Sequence, residues 1–182
     1  MSVTSRELRQ RARKIKLLLM DVDGVLTDGR IYLVPSPRGG LMETKTFNSR
    51  DGLGIRLIHK AGIKTGIISG RRSPVVEQRI KELGIHYARQ QVLDKLQPYQ
   101  EILRSARLTD EEVCYMGDDL VDLPLLKRTG LAVAVADAHP LLRRYTHYRT
   151  TNLGGMGAVR ETIELILAAQ GKLEEIIKYY LK

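Results

Sequence analysis

The sequence predicts an α/β fold, a doubly wound and mainly parallel sheet, and three observations predict it. Short aliphatic runs recur without polar alternation (Leu17 to Met20, Ile63 to Ile68, Val113 to Met116, Leu131 to Val135), as strands buried on both faces do. Stretches with helical spacing separate them, as crossovers between parallel strands require. Several of the runs end in Asp, Ser and Gly, at the strand ends where open α/β sheets place ligands.

Taken in order, Leu17 to Met20 is the first strand. Arg30 to Val34 and Leu41 to Phe47 read as two strands of a hairpin, with Pro35 to Gly40 as its tip. A helix runs from Asp51 to about Lys60, with Gly62 as its stop, and Ile63 to Ile68 is the next strand. Ser73 as N-cap and Pro74 at the first position open a helix that ends at Leu83, before Gly84. Ile85 to Ala88 is a short strand and Asp94 to Ala106 a helix, with Pro98 near its first turn. Glu112 to Met116 is a strand, Leu120 to Lys127 a short helix, and Leu131 to Val135 another strand. After a turn at Pro140, Tyr145 to Thr150 is an edge strand. Helices follow over Ala158 to Ala169 and Lys172 to Leu181. No linker or repeat divides the chain. The expectation is one domain over residues 1–182, with a hairpin flap at about 30–47 and a C-terminal tail at about 171–182.

Composition narrows the class. A chain of 182 residues builds a core that needs no staples, and a lone Cys114 excludes an internal disulfide. No apolar run approaches membrane length, and Leu17 to Met20 is too short for a signal peptide's apolar region, so a cytoplasmic protein is expected. The formal net charge of +9 suits an anionic ligand, but the basic residues are dispersed and aromatics make up only 5%, which argues against nucleic acid.

Four short motifs carry chemistry. Asp21 and Asp23 stand i, i+2 at the end of the first strand, and an extended chain points both side chains the same way. Two acids so placed need a cation or a shared proton, which suggests Mg²⁺ and covalent chemistry at a carboxylate; an ordinary Asp/Gly turn is the plain alternative. Ser69-Gly70-Arg71 ends the second buried strand with a hydroxyl, backbone N–H groups and a guanidinium, all of which bind phosphate. Lys95 opens a helix and, alone, reads as a solvated residue of its first turn. Asp118, Asp119 and Asp122 put three carboxylates behind a third strand, where N-capping explains one and a hard cation explains the cluster.

In this order the four motifs resemble the haloacid dehalogenase superfamily of phosphohydrolases. The resemblance extends from about Lys16 to Gly171. It narrows, on Asp21-Val22-Asp23-Gly24-Val25-Leu26-Thr27-Asp28-Gly29, Phe47 to Ile55, Gly117 to Leu120, Val133 to Pro140 and Gly154 to Glu161, to the capless family of 3-deoxy-D-manno-octulosonate 8-phosphate phosphatases. It implies a Rossmann-like core without a cap domain, and Mg²⁺-dependent hydrolysis of a phosphorylated sugar acid in lipopolysaccharide precursor synthesis. Asp21 would be the nucleophile and Asp23 the general acid and base. Asp21, Asp23 (through its carbonyl) and Asp118 would hold the metal, and Ser69 and Lys95 the phosphoryl group. Asp119 and Asp122 would sit behind them. Substrate contacts carried over from the family fall on Asp23, Asn48, Ser49, Arg50, Asp51, Gly52, Arg56, Arg71, Arg79 and Lys95. The family also implies a homotetramer in which a neighbouring subunit helps to close the site. Two departures lie near the expected mouth: the Pro35 to Gly40 loop is longer than usual, and Ser49 replaces a usual valine. A phosphatase of another sugar-acid phosphate, such as a nonulosonate 9-phosphate, and a non-catalytic phospholigand- or nucleic-acid-binding module stay open as alternatives.

Overall fold

A helix that the reading of the sequence leaves out opens the structure, a computed structural model that describes residues 4–182. Helix α1 covers Ser5–Arg13. Its start is written in Thr4 and Glu7, three residues apart, which form a capping box: each side chain accepts from the other residue's backbone N–H. Ala12 and, just past the helix, Ile15 are buried, while Arg6, Arg9 and Arg13 are exposed and the half-buried Arg11 donates to the Gly130 carbonyl.

Strands β1 (Leu17–Met20), β4 (Lys64–Ile68), β5 (Tyr87–Arg89), β6 (Val113–Gly117), β7 (Leu131–Ala134) and β8 (Tyr148–Arg149) form one sheet. Its order is β5-β4-β1-β6-β7-β8, and every neighbouring pair is parallel. The residues of β1 are 0% exposed, which explains why the strand is uniformly apolar rather than alternating. Helices α2 (Ser49–Lys60) and α6 (Ala158–Ala169) pack together, with α1 also on α6, while α4 (Leu96–Ala106) packs on α5 (Leu123–Leu126). Helix α3 (Pro74–Leu83) links β4 to β5, and α7 (Leu173–Tyr180) packs against α6. The chain leaves β1 towards β4 and β5, then returns to β6 and moves the other way to β7 and β8. Right-handed crossovers therefore put α2 and α3 on one face and α4 and α5 on the other. The reversal opens a crevice at the carboxyl ends of β1 and β6.

A separate two-stranded sheet pairs β2 (Tyr32–Pro35) with β3 (Leu41–Thr44), antiparallel and in register Tyr32 with Thr44. This is the hairpin expected at 30–47, narrower at both ends. Pro35 ends β2 opposite Leu41, at a pair where the missing N–H breaks no interior ladder. Ile31, Leu33, Leu41 and Met42 are exposed on it; Phe47 instead packs against the core, with the Arg79 guanidinium 5.5 Å from its ring centre.

Local boundaries differ from the sequence reading for identifiable reasons. The strand expected at 85–88 begins at Tyr87, and the edge strand expected at 145–150 shortens to two residues. The helix expected at 120–127 divides into a 3-10 turn, Leu120–Asp122, and α5, because Pro124 cannot donate to a continuous helix. Ser73 precedes α3 but makes no side-chain cap; its N–H donates to Gln90 and its buried hydroxyl has no partner among the described residues. Among the described residues, no helix is long and apolar enough to cross a membrane.

Asp51 ties the two halves of the helical layer together. It is 1% exposed, and its carboxylate accepts from the N–H groups of Gly157 (3.1 Å) and Arg160 (2.8 Å) at the start of α6. Those donors have no partner within their own helix, so the cap is supplied from a residue distant in sequence. Asp51→Ala is expected to lower the unfolding free energy by about 1–3 kcal/mol, the cost of leaving buried N–H groups unpaired. Urea denaturation, with an unchanged slope and a lower midpoint, is the check.

Candidate active site

The crevice at the reversal point is built from strand ends. Asp21 follows β1, its N–H donating to the Met116 carbonyl at 3.0 Å, and its Oδ1 accepts from the Val22 N–H at 2.7 Å. The chain then turns tightly, with the N–H groups of Val25, Leu26 and Thr27 directed at the Val22 carbonyl. Gly24 lies in this turn at φ +84°, and a Cβ there would sit 2.2 Å from Asp118 Oδ2. On its other side, a Cβ on Gly154 would sit 1.8 Å from the Gly24 carbonyl oxygen. The glycines let the Asp21 loop, the Asp118 loop and the 154 loop close on one another.

Asp122 organises the centre. It is fully buried, and both its oxygens are spent. Oδ1 accepts from Lys95 Nζ at 2.7 Å and from the Tyr115 hydroxyl at 2.6 Å; Oδ2 accepts from the N–H groups of Asp118 (2.9 Å) and Asp119 (3.3 Å). Lys95, 3% exposed, also reaches Asp21 Oδ2 at 2.8 Å. Lys95 stands just before α4, not in it, with an Nζ shared between the two acids. Asp119 is exposed and caps the 3-10 turn through the Leu120 N–H.

Burial and mutual repulsion raise the acids. Asp21 is pushed up to about 6 by burial, which the Lys95 ammonium only partly offsets. Asp118 is pushed up to about 8 by burial first, then by the charges of Asp122 and Asp21. Burial works against the Lys95 ammonium, but Asp122 and Asp21 outweigh it and raise its pKa. Carboxylate oxygens of Asp21, Asp118 and Asp122 lie within 4.8 Å of one another, with one ammonium among three acids. The donor set is hard oxygen and electron-rich, which fits a divalent cation such as Mg²⁺. Because Asp122 is already satisfied, Asp21 and Asp118 are the side chains left to hold it.

A cavity of about 320 Å³ opens above this cluster. Its lining includes Asp21, Asp23, Ser69, Arg71, Lys95 and Asp118, together with the apolar Val92, Leu93 and Val121. Ser69 is 2% exposed; its hydroxyl accepts from the Arg71 N–H at 3.2 Å. The sequence-predicted catalytic and metal residues thus converge. The expected substrate contacts do not all join them. Asp51 is spent on α6, and Asn48 caps α2 by accepting from the Arg50 N–H at 2.8 Å. A Cβ on Gly52 would lie 2.5 Å from an Arg79 guanidinium nitrogen, so this glycine makes room for Arg79. Ser49 and Arg79 line a second groove beside Phe47 and Pro74, and Arg50 lines a third, donating to the Met156 carbonyl at 3.3 Å. Arg56 is exposed, 3.8 Å from Glu82. Within one chain, these seven residues lie outside the acidic cavity.

Two residues at this site escape the reading of the sequence. Lys45 is buried and bonded to the Asp23 carboxylate, and Tyr115 holds Asp122. Lys45 sits two positions after Glu43 near the hairpin's end, a same-side spacing that could have marked the pair. Tyr115 lies inside an otherwise apolar strand and reads as core.

This fold and site define a phosphohydrolase of the haloacid dehalogenase type, and residues 88–159 match the family described as haloacid dehalogenase-like hydrolase. The 3-deoxy-D-manno-octulosonate 8-phosphate phosphatase of Yersinia pestis is 50% identical over 165 residues, 91% of this chain and 86% of that one. A crystal structure of a probable phosphatase from Pseudomonas syringae superposes with a TM-score of 0.92 at 48% identity, covering 98% of this chain and 99% of that one. The Moraxella catarrhalis 3-deoxy-D-manno-octulosonate 8-phosphate phosphatase, solved with magnesium, phosphate and KDO, superposes with a TM-score of 0.91 at 39% identity, covering 97% and 99%. The chain belongs to the family of 3-deoxy-D-manno-octulosonate 8-phosphate phosphatases and is a phosphomonoester hydrolase.

The raised acids set the pH behaviour of the metal-free protein. A carboxyl whose folded pKa is raised contributes stability below the ordinary carboxylate range and loses it as pH rises through the folded value. In chelator, Tm is expected to fall as pH climbs through about 6 and 8, the values for Asp21 and Asp118. Mg²⁺ should raise Tm more at pH 8 than at pH 5.5, because its ligands must be deprotonated. Asp118→Asn should weaken both effects in the same thermal melts.

Proposed function

We propose that this chain removes the phosphate from 3-deoxy-D-manno-octulosonate 8-phosphate, releasing the free sugar acid in lipopolysaccharide precursor synthesis in the cytoplasm. The observation that carries this reading is the buried Asp21 at the carboxyl end of β1, against Lys95 and beside Asp23, in a chain half identical to a phosphatase named for that substrate. A pure binding module has no use for a nucleophile and an acid placed together at one strand end.

Phosphoryl transfer needs positioning and charge neutralisation more than covalent machinery. Asp21 attacks phosphorus and becomes an aspartyl-phosphate, so that one difficult displacement is split into two. Asp23 gives its proton to the departing sugar oxygen and then takes one from the water that cleaves the intermediate. Lys95 and the Ser69 hydroxyl bind the phosphoryl oxygens, and Asp122 with Tyr115 fixes the Lys95 ammonium for that task. Magnesium, held by Asp21, Asp118 and the Asp23 carbonyl, neutralises phosphoryl charge when bound. Arg71, at the cavity wall, supplies a cation for an anionic substrate.

Asp21→Asn keeps the shape and removes the nucleophile. Its phosphate release should fall by more than about 10³-fold, over 4 kcal/mol of barrier, with the fold intact by circular dichroism. A panel that includes the nine-carbon nonulosonate 9-phosphate decides the sugar.

The cavity has no cap, and the same reading makes the protein a homotetramer whose hairpins cover one another's sites. Exposed Ile31, Leu33, Leu41 and Met42 on a two-stranded sheet support it, since such a hairpin cannot bury them alone. Light scattering at micromolar concentration should give four chains. Leu33→Glu with Leu41→Glu should reduce that number and lower activity together.

A further inference from the structure

The hairpin ends in a buried cation that no step of the chemistry described above uses. Lys45 follows β3, and its side chain is only 1% exposed. Its Nζ is bonded to Asp23 Oδ1 and lies 3.1 Å from Glu43 Oε1. Glu43 is in turn bonded to Arg71 through its other oxygen, and this pairing, together with Lys45, holds its carboxyl below the usual range. A buried ammonium is costly unless paired, and here both partners are acids, one on the hairpin and one at the cavity.

We propose that Lys45 is a positioning residue for the general acid: it fixes the Asp23 carboxyl at the leaving-group end of the cavity, with Glu43 as its anchor. The inference rests on the functional reading above and goes beyond it, because it assigns the hairpin a part in the proton transfer. Without Lys45 the Asp23 side chain has no hydrogen-bond partner among the described residues, and it is free to rotate away from the departing oxygen. In the step concerned, a bond forms between an Asp21 oxygen and phosphorus while the bond from phosphorus to the sugar oxygen breaks. The proton on the Asp23 carboxyl goes to that oxygen, which leaves as a neutral hydroxyl. The carboxylate left behind stays against Lys45. General-acid assistance of this kind is lost when the donor is misplaced by about 1 Å.

The test uses leaving groups. A sugar alkoxide must be protonated as it departs, whereas 4-nitrophenolate departs as the anion and needs no proton. The quantity to read is kcat/KM, which covers steps only up to leaving-group departure and so excludes the later water attack. Lys45→Met should lower kcat/KM for the sugar 8-phosphate about 100-fold, with that for 4-nitrophenyl phosphate changed less than about threefold. Asp23→Asn should lower kcat/KM for the sugar phosphate more than for the aryl phosphate, and Lys45→Met added to Asp23→Asn should cost little more. Glu43→Gln, which weakens the anchor and with it the pairing to Arg71, should show a smaller loss that still falls more on the sugar phosphate than on the aryl one, and serves if Lys45→Met does not fold. Equal losses on both phosphates, or a full additional loss in the Asp23→Asn background, would overturn the proposal. The comparison is between any alkyl phosphate the enzyme turns over and an aryl one. Failure to hydrolyse the octulosonate phosphate therefore counts against the functional reading and leaves this test standing.

Discussion

Asp122 is the point on which the site depends. It never meets solvent, yet it fixes the Lys95 ammonium, receives the Tyr115 hydroxyl and accepts the N–H groups of the loop carrying Asp118. A buried carboxylate with four donors is satisfied, and its remaining charge is offset by the cation it holds. The consequence is a division of labour among three neighbouring acids. One is committed to structure, and the two whose protonation is most disturbed are left facing the cavity. Neutralising all three with lysines would stabilise the protein but leave nothing to draw a divalent cation. One lysine leaves a negative surplus that bound protons or a cation from outside must balance.

The same logic accounts for the architecture around it. The chain direction reverses between β1 and β6, so the two strand ends bearing Asp21 and Asp118 are neighbours, hydrogen-bonded from Asp21 to Met116. Ser69 comes from the next strand on one side, and Lys95 from the crossover that brings the chain back. Asp21, Ser69, Lys95 and Asp118 therefore each sit at the end of a rigid element, whereas Asp23 stands in the turn after β1. Its fixed position comes from elsewhere, through the hairpin.

What could be read from the sequence follows sequence distance and periodicity. The parallel sheet was legible because strands buried on both faces leave continuous apolar runs, and Asp21, Ser69 and Asp118 were legible because they interrupt those runs. Lys95 was ambiguous alone, since nothing in its own helix start shows that it is folded under Asp122, 27 residues away. Asp51 shows the reverse case. Its place in a family motif marks it as a substrate contact, but its carboxylate caps a helix 106 residues further on, a pairing that no local pattern carries. Tyr115 was hidden by its surroundings, being aromatic in an apolar strand, and only its hydroxyl betrays its role. Helix α1 announces itself only in Thr4 and Glu7, since the rest of its sequence is strongly basic and carries a single buried residue, Ala12.

The close contact between Gly24 and Gly154 bears on the order in which the enzyme is made. The segment that seals the loop after Asp21, with the Gly155 N–H donating to the Val25 carbonyl at 2.9 Å, is synthesised 130 residues after it. A nascent chain stopped before Gly154 already carries every acid of the site, together with Ser69 and Lys95. It lacks the backbone that braces the turn between Asp21 and Asp28. The turn that presents Asp23 is thus braced by backbone from the far side of the domain, and its shape depends on the whole fold rather than on β1 alone.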